Sequence, residues 1–156
     1  MLKYIHNKIK NLFSKNGLIV SPNGTKQWYK NGLRHREDGP SIENIDGIKA
    51  WLMYGKLHRE DGPAIECANG RKFWYINGEL HREDGPSIEW ENGSKEWCIN
   101  GERHREDGPA IEWGNGEKEW YIYGKEIYLV EIIKNNPNGY GPWSASDLAA
   151  LKLKYL

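Results

Sequence analysis

The chain has 156 residues, with 22 Lys plus Arg balanced by 22 Asp plus Glu. That balance excludes a global field of the kind that draws a protein onto nucleic acid or an anionic membrane, so a charge-driven partner must meet a local patch. Eight Trp and nine Tyr stand against two Phe, a bias that suits half-buried sheet positions where a ring packs and its polar edge stays wet.

In chain order, residues 1–20 read as an amphipathic helix and a lead-in strand. Leu2, Ile5, Ile9, Leu12 and Phe13 form a helical stripe, with Lys3, Lys8 and Lys10 on the other face. Packing over an open sheet edge is the expected use of this helix, with a membrane-surface role as a minor reading. The segment lacks the uninterrupted apolar run and cleavage site of a secretory leader, and no run of membrane-spanning length occurs. The expected location is the cytoplasm.

From residue 21 to 125 one 23-residue unit recurs five times. His-Arg-Glu-Asp begins at His35, His58, His81 and His104, and the same step relates Trp28, Trp51, Trp74, Trp97 and Trp120. Such periodicity marks a repeat array. Within a unit, Asn69-Gly70 is read as a two-residue type I′ hairpin turn, since both central positions of that turn need positive φ. This register sets Ile65 opposite Trp74 and Glu66 opposite Phe73, and by repetition makes an Ile-Trp ridge on one face with Tyr29, Tyr75 and Tyr121 on the other. The stretch Asn77 to Pro86 is too polar and turn-rich for a strand throughout, and reads as a long connection. The fold class expected is mainly β, an elongated antiparallel meander of repeated hairpins.

In the fifth copy Ile127, Tyr128, Leu129 and Val130 replace the charged tetrapeptide, as at a terminal cap. Residues 126–156 are accordingly read as a C-terminal cap, with Ser144 and Asp147 marking the start of a short helix. Cys67 and Cys98 fall where other copies carry unrelated residues, which fits neither a disulfide framework nor a metal site.

The stretch aromatic-x-Asn-Gly-x-x-His, at Tyr29, Asn31, Gly32 and His35 and again at Tyr75, Asn77, Gly78 and His81, resembles the core of membrane occupation and recognition nexus (MORN) repeats. The longer motif with Arg36, Asp38, Gly39 and Pro40 is similar to His-Arg-x-Asp-Gly-Pro repeat proteins of phages and giant viruses. The likeness spans roughly residues 21–125. The chain departs from the MORN pattern after the histidine, where Arg-Glu-Asp precedes Gly-Pro. The resemblance implies a meandering antiparallel sheet that scaffolds protein contacts, and a viral protein acting in the host-cell cytoplasm. It implies no catalytic residue.

The candidate binding residues are His35, Arg36, His58, Arg59, His81, Arg82, His104 and Arg105, with Tyr29, Tyr75 and Tyr121 as aromatic anchors. Arginine can grip a phosphate or carboxylate bidentately, but each one here stands beside Glu and Asp, so self-pairing competes. The structural expectation is that the aspartates bond their own turns while Arg and Glu of adjacent repeats form a ladder. Identical loops in a row do not converge on a metal, and equivalent settings lack the asymmetry that an acid and a base require. No cofactor is expected. The leading reading is a non-enzymatic scaffold for a protein partner, a virus-encoded inhibitor or modulator of a host factor, with self-association open. The alternatives are a sequestering protein for a small anion or nucleotide, and a peripheral membrane scaffold. Nucleic acid is disfavoured because Glu43, Glu66, Glu89 and Glu112 would repel its backbone.

Overall fold

The computed structural model describes residues 16–128. They are mainly β and contain no helix; the helices expected at residues 2–13 and after Ser144 lie outside the described residues. Contacts divide the chain into two compact units, Met1–Glu79 and Leu80–Leu156. In the first, the strands are β1 (Gly17–Val20), β2 (Lys26–Lys30), β3 (Leu33–Arg34), β4 (Ile42–Glu43), β5 (Lys49–Ala50), β6 (Leu52–Met53), β7 (Lys56–Leu57), β8 (Ile65–Glu66), β9 (Lys72–Phe73) and β10 (Tyr75–Ile76). β11 (Glu79–Leu80) falls at the division. The second unit continues with β12 (Ile88–Glu89), β13 (Lys95–Glu96), β14 (Cys98–Ile99), β15 (Glu102–Arg103), β16 (Ile111–Glu112), β17 (Lys118–Ile122) and β18 (Lys125–Ile127).

Each unit holds an antiparallel meander. In the first the hydrogen-bonded order is β1-β2-β4-β5-β8-β9, with β2-β3 and β6-β7 as additional short hairpins. In the second it is β12-β13-β16-β17-β18, with β14-β15 as the short hairpin.

Two kinds of turn alternate, and they differ from the sequence expectation. The type I′ geometry, with positive φ at both central residues, belongs to Asn31-Gly32, Tyr54-Gly55, Asn77-Gly78, Asn100-Gly101 and Tyr123-Gly124. Those turns close the short hairpins, in register pairs such as Met53 with Lys56 and Ile99 with Glu102. The polar stretch from Asn77, expected to be a long connection, therefore starts with a tight hairpin. The Asn69-Gly70 turn is instead a three-residue loop. Gly70 N donates to Cys67 O at 3.0 Å, Cys67 N donates to Arg71 O at 2.9 Å, and Gly70 alone of the loop takes positive φ, at 89°. This is a type I turn closed by a left-handed glycine.

The extra loop residue shifts the ladder by one. Ile65 faces Phe73 and Glu66 faces Lys72, so the Ile-Trp ridge is not formed. A one-residue slip exchanges faces, and the true partition is chemically cleaner. One face carries Lys26, Glu43, Lys49, Glu66 and Lys72 as successive cross-strand partners in the first unit, and Glu89, Lys95, Glu112 and Lys118 in the second. Opposite charges thus stand side by side at every step. The other face alternates isoleucine with a variable residue: Gln27, Ile42, Ala50, Ile65, Phe73, and then Ile88, Glu96, Ile111, Glu119. Ile111 is 0% exposed and Ile88 6%, and such burial stabilises by about 1.5–3 kcal/mol per side chain.

The residue after each Gly-Pro is small and completely buried: Ser41, Ala64, Ser87 and Ala110. Where it is serine the hydroxyl is bonded, Ser41 Oγ accepting from Leu52 N and donating to Ala50 O. Larger side chains at these four positions have no space to enter.

Candidate functional site: the His-Arg-Glu-Asp loops

The loops that start at His35, His58 and His104 are each an excursion opposite a single tryptophan. Trp51 N donates to Ala64 O at 2.8 Å and Trp51 O accepts from His58 N at 3.1 Å. The chain thus leaves Trp51 after His58, makes one more backbone bond from Arg59 N to Tyr75 O at 3.1 Å, turns through Glu60–Pro63, and re-enters at Ala64 opposite the same tryptophan. Trp28 is bonded likewise to Ser41 and His35, and Trp97 to Ala110 and His104. Because Arg59 caps the Trp51 ring and also reaches Glu66, the indole lies on the Lys-Glu face, not with isoleucine.

The arginine is the loop's internal clamp. In the second repeat, Arg59 Nε donates to Asp61 Oδ1 at 2.8 Å, and Nη1 donates to Pro63 O at 3.2 Å and to Glu66 Oε1 at 3.0 Å. Its guanidinium carbon sits 4.0 Å from the Trp51 ring centroid, within the range of a favourable cation–π contact. The same hydrogen-bonding pattern recurs at Arg82 and Arg105. Arg36 follows it too, with its Glu43 contact stretched to 3.5 Å. Arg36 and Arg105 cap Trp28 and Trp97, again at 4.0 Å. The ladder between neighbouring loops expected from sequence is absent from these contacts. The partners come from the arginine's own repeat, two, four and seven residues ahead.

Glycine here leaves room for the clamped guanidinium. A Cβ on Gly39, Gly62, Gly85 or Gly108 would stand 2.9–3.0 Å from the arginine Cζ. Only glycine lets the guanidinium lie across the backbone at that point.

The histidines join successive repeats. Nδ1 of His35, His58, His81 and His104 accepts the backbone N–H of Tyr54, Asn77, Asn100 and Tyr123 respectively, at 3.1–3.2 Å. These donors are the first left-handed residues of the I′ turns, and the bond fits the Nε2–H tautomer of His35, His58 and His104, whereas Nδ1 of His81 also lies 2.9 Å from Asn100 Oδ1. The following glycine binds the preceding repeat as well, Gly55 N donating to Arg34 O and Gly124 N to Arg103 O. Where the turn residue is tyrosine its ring stacks on the imidazole, with centroids 4.2 Å apart for His35–Tyr54 and for His104–Tyr123.

Electrostatics follow the clamps. The arginine hydrogen bond holds the carboxyls of Asp38, Asp61 and Asp84 below the usual aspartate range. Glu37 is lowered by its bonds from His35 and Lys30, and Lys30 is raised by Glu37 in return.

The tyrosines named from sequence are half-buried, and two of their hydroxyls donate within the repeat, Tyr29 to Gln27 Oε1 and Tyr121 to Glu119 Oε2. Burial, seconded by Glu119, pushes the Tyr121 hydroxyl up. The surrounding cluster was missed in the sequence. Glu96, 6% exposed, takes both Nε and Nη2 of Arg103 at 3.2 Å and the Trp90 indole N–H at 3.0 Å. Cys98 is buried beside it and its thiol is raised by that burial, which makes it a poor nucleophile.

Between consecutive loops lie open grooves. One, of about 750 Å³, is bounded by the loops at Arg36–Gly39 and His58–Asp61 and floored by Trp51 and Met53. Its counterpart in the second unit, about 610 Å³, lies between the loops at Arg82–Pro86 and His104–Asp107 over Trp97 and Ile99. The sequence marked the loop residues but not these floors, because Met53 and Ile99 are unremarkable strand positions until the register is known. Among the described residues, no group of three His, Cys, Asp or Glu is placed to hold a metal, and no helix is long and apolar enough to cross a membrane.

No family model and no curated protein matches this chain.

Proposed function

We propose that the protein is a non-enzymatic repeat scaffold that binds a protein partner along its His-Arg-Glu-Asp loops. The observation that carries this reading is the recurrence of one groove, with an aromatic and aliphatic floor and charged walls, at equivalent places in both units. Rigid repeated concavities suit recognition of an extended surface. Clamped side chains in identical settings leave no pair of groups with divergent roles, which weighs against catalysis. The same clamping weighs against sequestration of phosphate or nucleotide, because the arginines that would grip the anion are already bonded to Asp, Glu and a prolyl carbonyl. Likeness of the loop motif to phage and giant-virus repeat proteins supports a virus-encoded modulator with its partner in the host cytoplasm.

The test is affinity capture from host lysate with two baits, the wild-type chain and a variant with both groove floors filled, Met53→Trp with Ile99→Trp. A stoichiometric partner retained by the first and lost by the second is the expected result. Capture of nothing, or equal capture by both folded baits, would overturn the reading.

A further inference from the structure

The first strand is unlike those that follow it. Along the meander opposite charges stand side by side, but β1 is Gly17-Leu18-Ile19-Val20, without charge or proline, and every residue of it is exposed. Leu18 is 50%, Ile19 36% and Val20 56% exposed. Its pairing with β2 runs from Gly17 with Tyr29 to Val20 with Lys26 without a bulge, and among the described residues it has a strand on that side only. Natural sheets blunt such an edge with charge, proline or a bulge, because it invites another strand. β18, last in the order of the second unit, is blunted in this way, with Lys125 and Glu126 exposed and Ile127 buried.

Register decides which backbone groups of β1 point outward. Ser21 N donates to Thr25 O, so Ser21 turns toward the hairpin, and by alternation along an antiparallel ladder Ile19 turns toward Gln27. Trp28, opposite Leu18, donates its N–H away from β1 to Ser41 O, as the same alternation requires. The N–H and C=O of Leu18 and Val20 therefore face outward. Gly17, at φ 81°, takes the chain out of the extended region before Leu18, and Pro22 has no N–H to offer beyond Ser21. Two donors and two acceptors remain, flanked by Leu18 and Val20 side chains on one face and Ile19 on the other.

A strand that docks here must be uncharged, apolar on both faces and able to bond at the same two-residue spacing. β1 itself meets all three conditions, whereas a strand of the Lys-Glu ladder would set a charge against Leu18 or Val20. We propose that β1 is a self-association edge, where the first unit of one chain pairs antiparallel with that of a second copy about a twofold axis. Leu18 lies opposite Val20 of the second copy, and Val20 opposite its Leu18, with the two Ile19 side chains adjacent between them. Each edge satisfies the other, so the assembly closes at two chains. The contact is small against the roughly 1,200–2,000 Å² of a stable interface, which makes the dimer weak and concentration-dependent. None of the groove-lining residues belongs to β1, so the edge and the grooves stand or fall separately.

Sedimentation velocity of the full chain across a hundredfold range of concentration is expected to show a reversible monomer–dimer equilibrium. Val20→Pro removes an outward N–H and no bond to β2; it should weaken dimerisation by about tenfold or more while the urea midpoint is retained. Charge exchange reads the register. Leu18→Lys and Val20→Glu should each weaken the dimer by about tenfold, and the two together in one chain should restore it, since each lysine then faces a glutamate of the other copy. Amide exchange at Leu18 and Val20 should slow as concentration rises, with Ile19 slow throughout. A monomer at every concentration would overturn the proposal. Slow exchange at Leu18 and Val20 in that monomer would assign the edge to residues 1–15 of the same chain, and loss of lysate capture with Val20→Pro would assign it to the protein partner. A dimer indifferent to Val20→Pro, or one that the double charge variant fails to regain, would overturn it equally.

Discussion

Gly62→Ala isolates the clamp. Gly62 does not occupy the left-handed region, so alanine brings no backbone strain and should stabilise by about 0.4–1 kcal/mol through the unfolded chain. Its Cβ, however, would stand 3.0 Å from Arg59 Cζ and 3.2 Å from Nε and Nη2, and the guanidinium must leave its place. The bond to Pro63 O and the Trp51 stacking go with it. The first is worth about 1–1.5 kcal/mol and the second about 0.5–1 kcal/mol; the exposed Asp61 pairing is screened and left out. The net expectation is a loss of about 1–2 kcal/mol, read as a fall in the urea midpoint at unchanged slope. The decisive step is the same substitution in an Arg59→Ala background. With no guanidinium to displace, Gly62→Ala should turn stabilising. A double-mutant cycle in which Gly62→Ala costs the same in both backgrounds would show that the crowding with Arg59 is not what requires the glycine.

Other outcomes follow from the same contacts. Tyr54 holds φ of 49° where three other copies use Asn, so Tyr54→Asn should gain about 0.5–1 kcal/mol, as relief of a left-handed strain worth about 1–2 kcal/mol outweighs the lost stacking on His35; a fall in thermal midpoint would contradict this. His35 is 5% exposed, and His35→Leu should cost about 1–2 kcal/mol by leaving the Tyr54 N–H without its acceptor, with hydrogen exchange of that amide accelerating in step. Unchanged exchange would mean that the bond is not stabilising. The aspartate carboxyls held low by arginine give the sign of the acid response. Their folded values lie below the unfolded one, so their contribution is complete above the unfolded value near pH 4 and is lost as pH falls through the folded values. Asp61→Asn should therefore flatten the acid limb of the stability profile below about pH 4; a profile of unchanged slope would count against the clamp.

The repeat, the β class and the loop motif were legible because they rest on spacing alone. Register was not, because each unit contains two glycine turns of different size. Both Asn69-Gly70 and Asn77-Gly78 read as I′ signals, and at Tyr54-Gly55 and Tyr123-Gly124 the true I′ site lacks the asparagine that announces it. An I′ turn at Asn69-Gly70 would move the ladder by one and put tryptophan with isoleucine, whereas the loop there holds one residue more. Self-pairing of the arginines could be expected from the neighbouring acids. Its geometry could not, since the Pro63 carbonyl and Glu66 become partners only when the loop folds back over Trp51. The Glu96–Arg103–Trp90 cluster stayed hidden because it occupies columns that vary from copy to copy.

That the loops at His35, His58 and His104 each leave and re-enter opposite one tryptophan has a practical consequence. Arg59 N still donates to Tyr75 O of the next repeat at 3.1 Å, but the bonds on either side do not involve Glu60–Pro63, so the ladder does not count those residues. Insertions at the Glu60 tip would therefore lengthen a finger without altering the sheet, and the three such fingers could be diversified independently. The protein thereby offers a template for engineered binders in which each 23-residue brick supplies one replaceable digit.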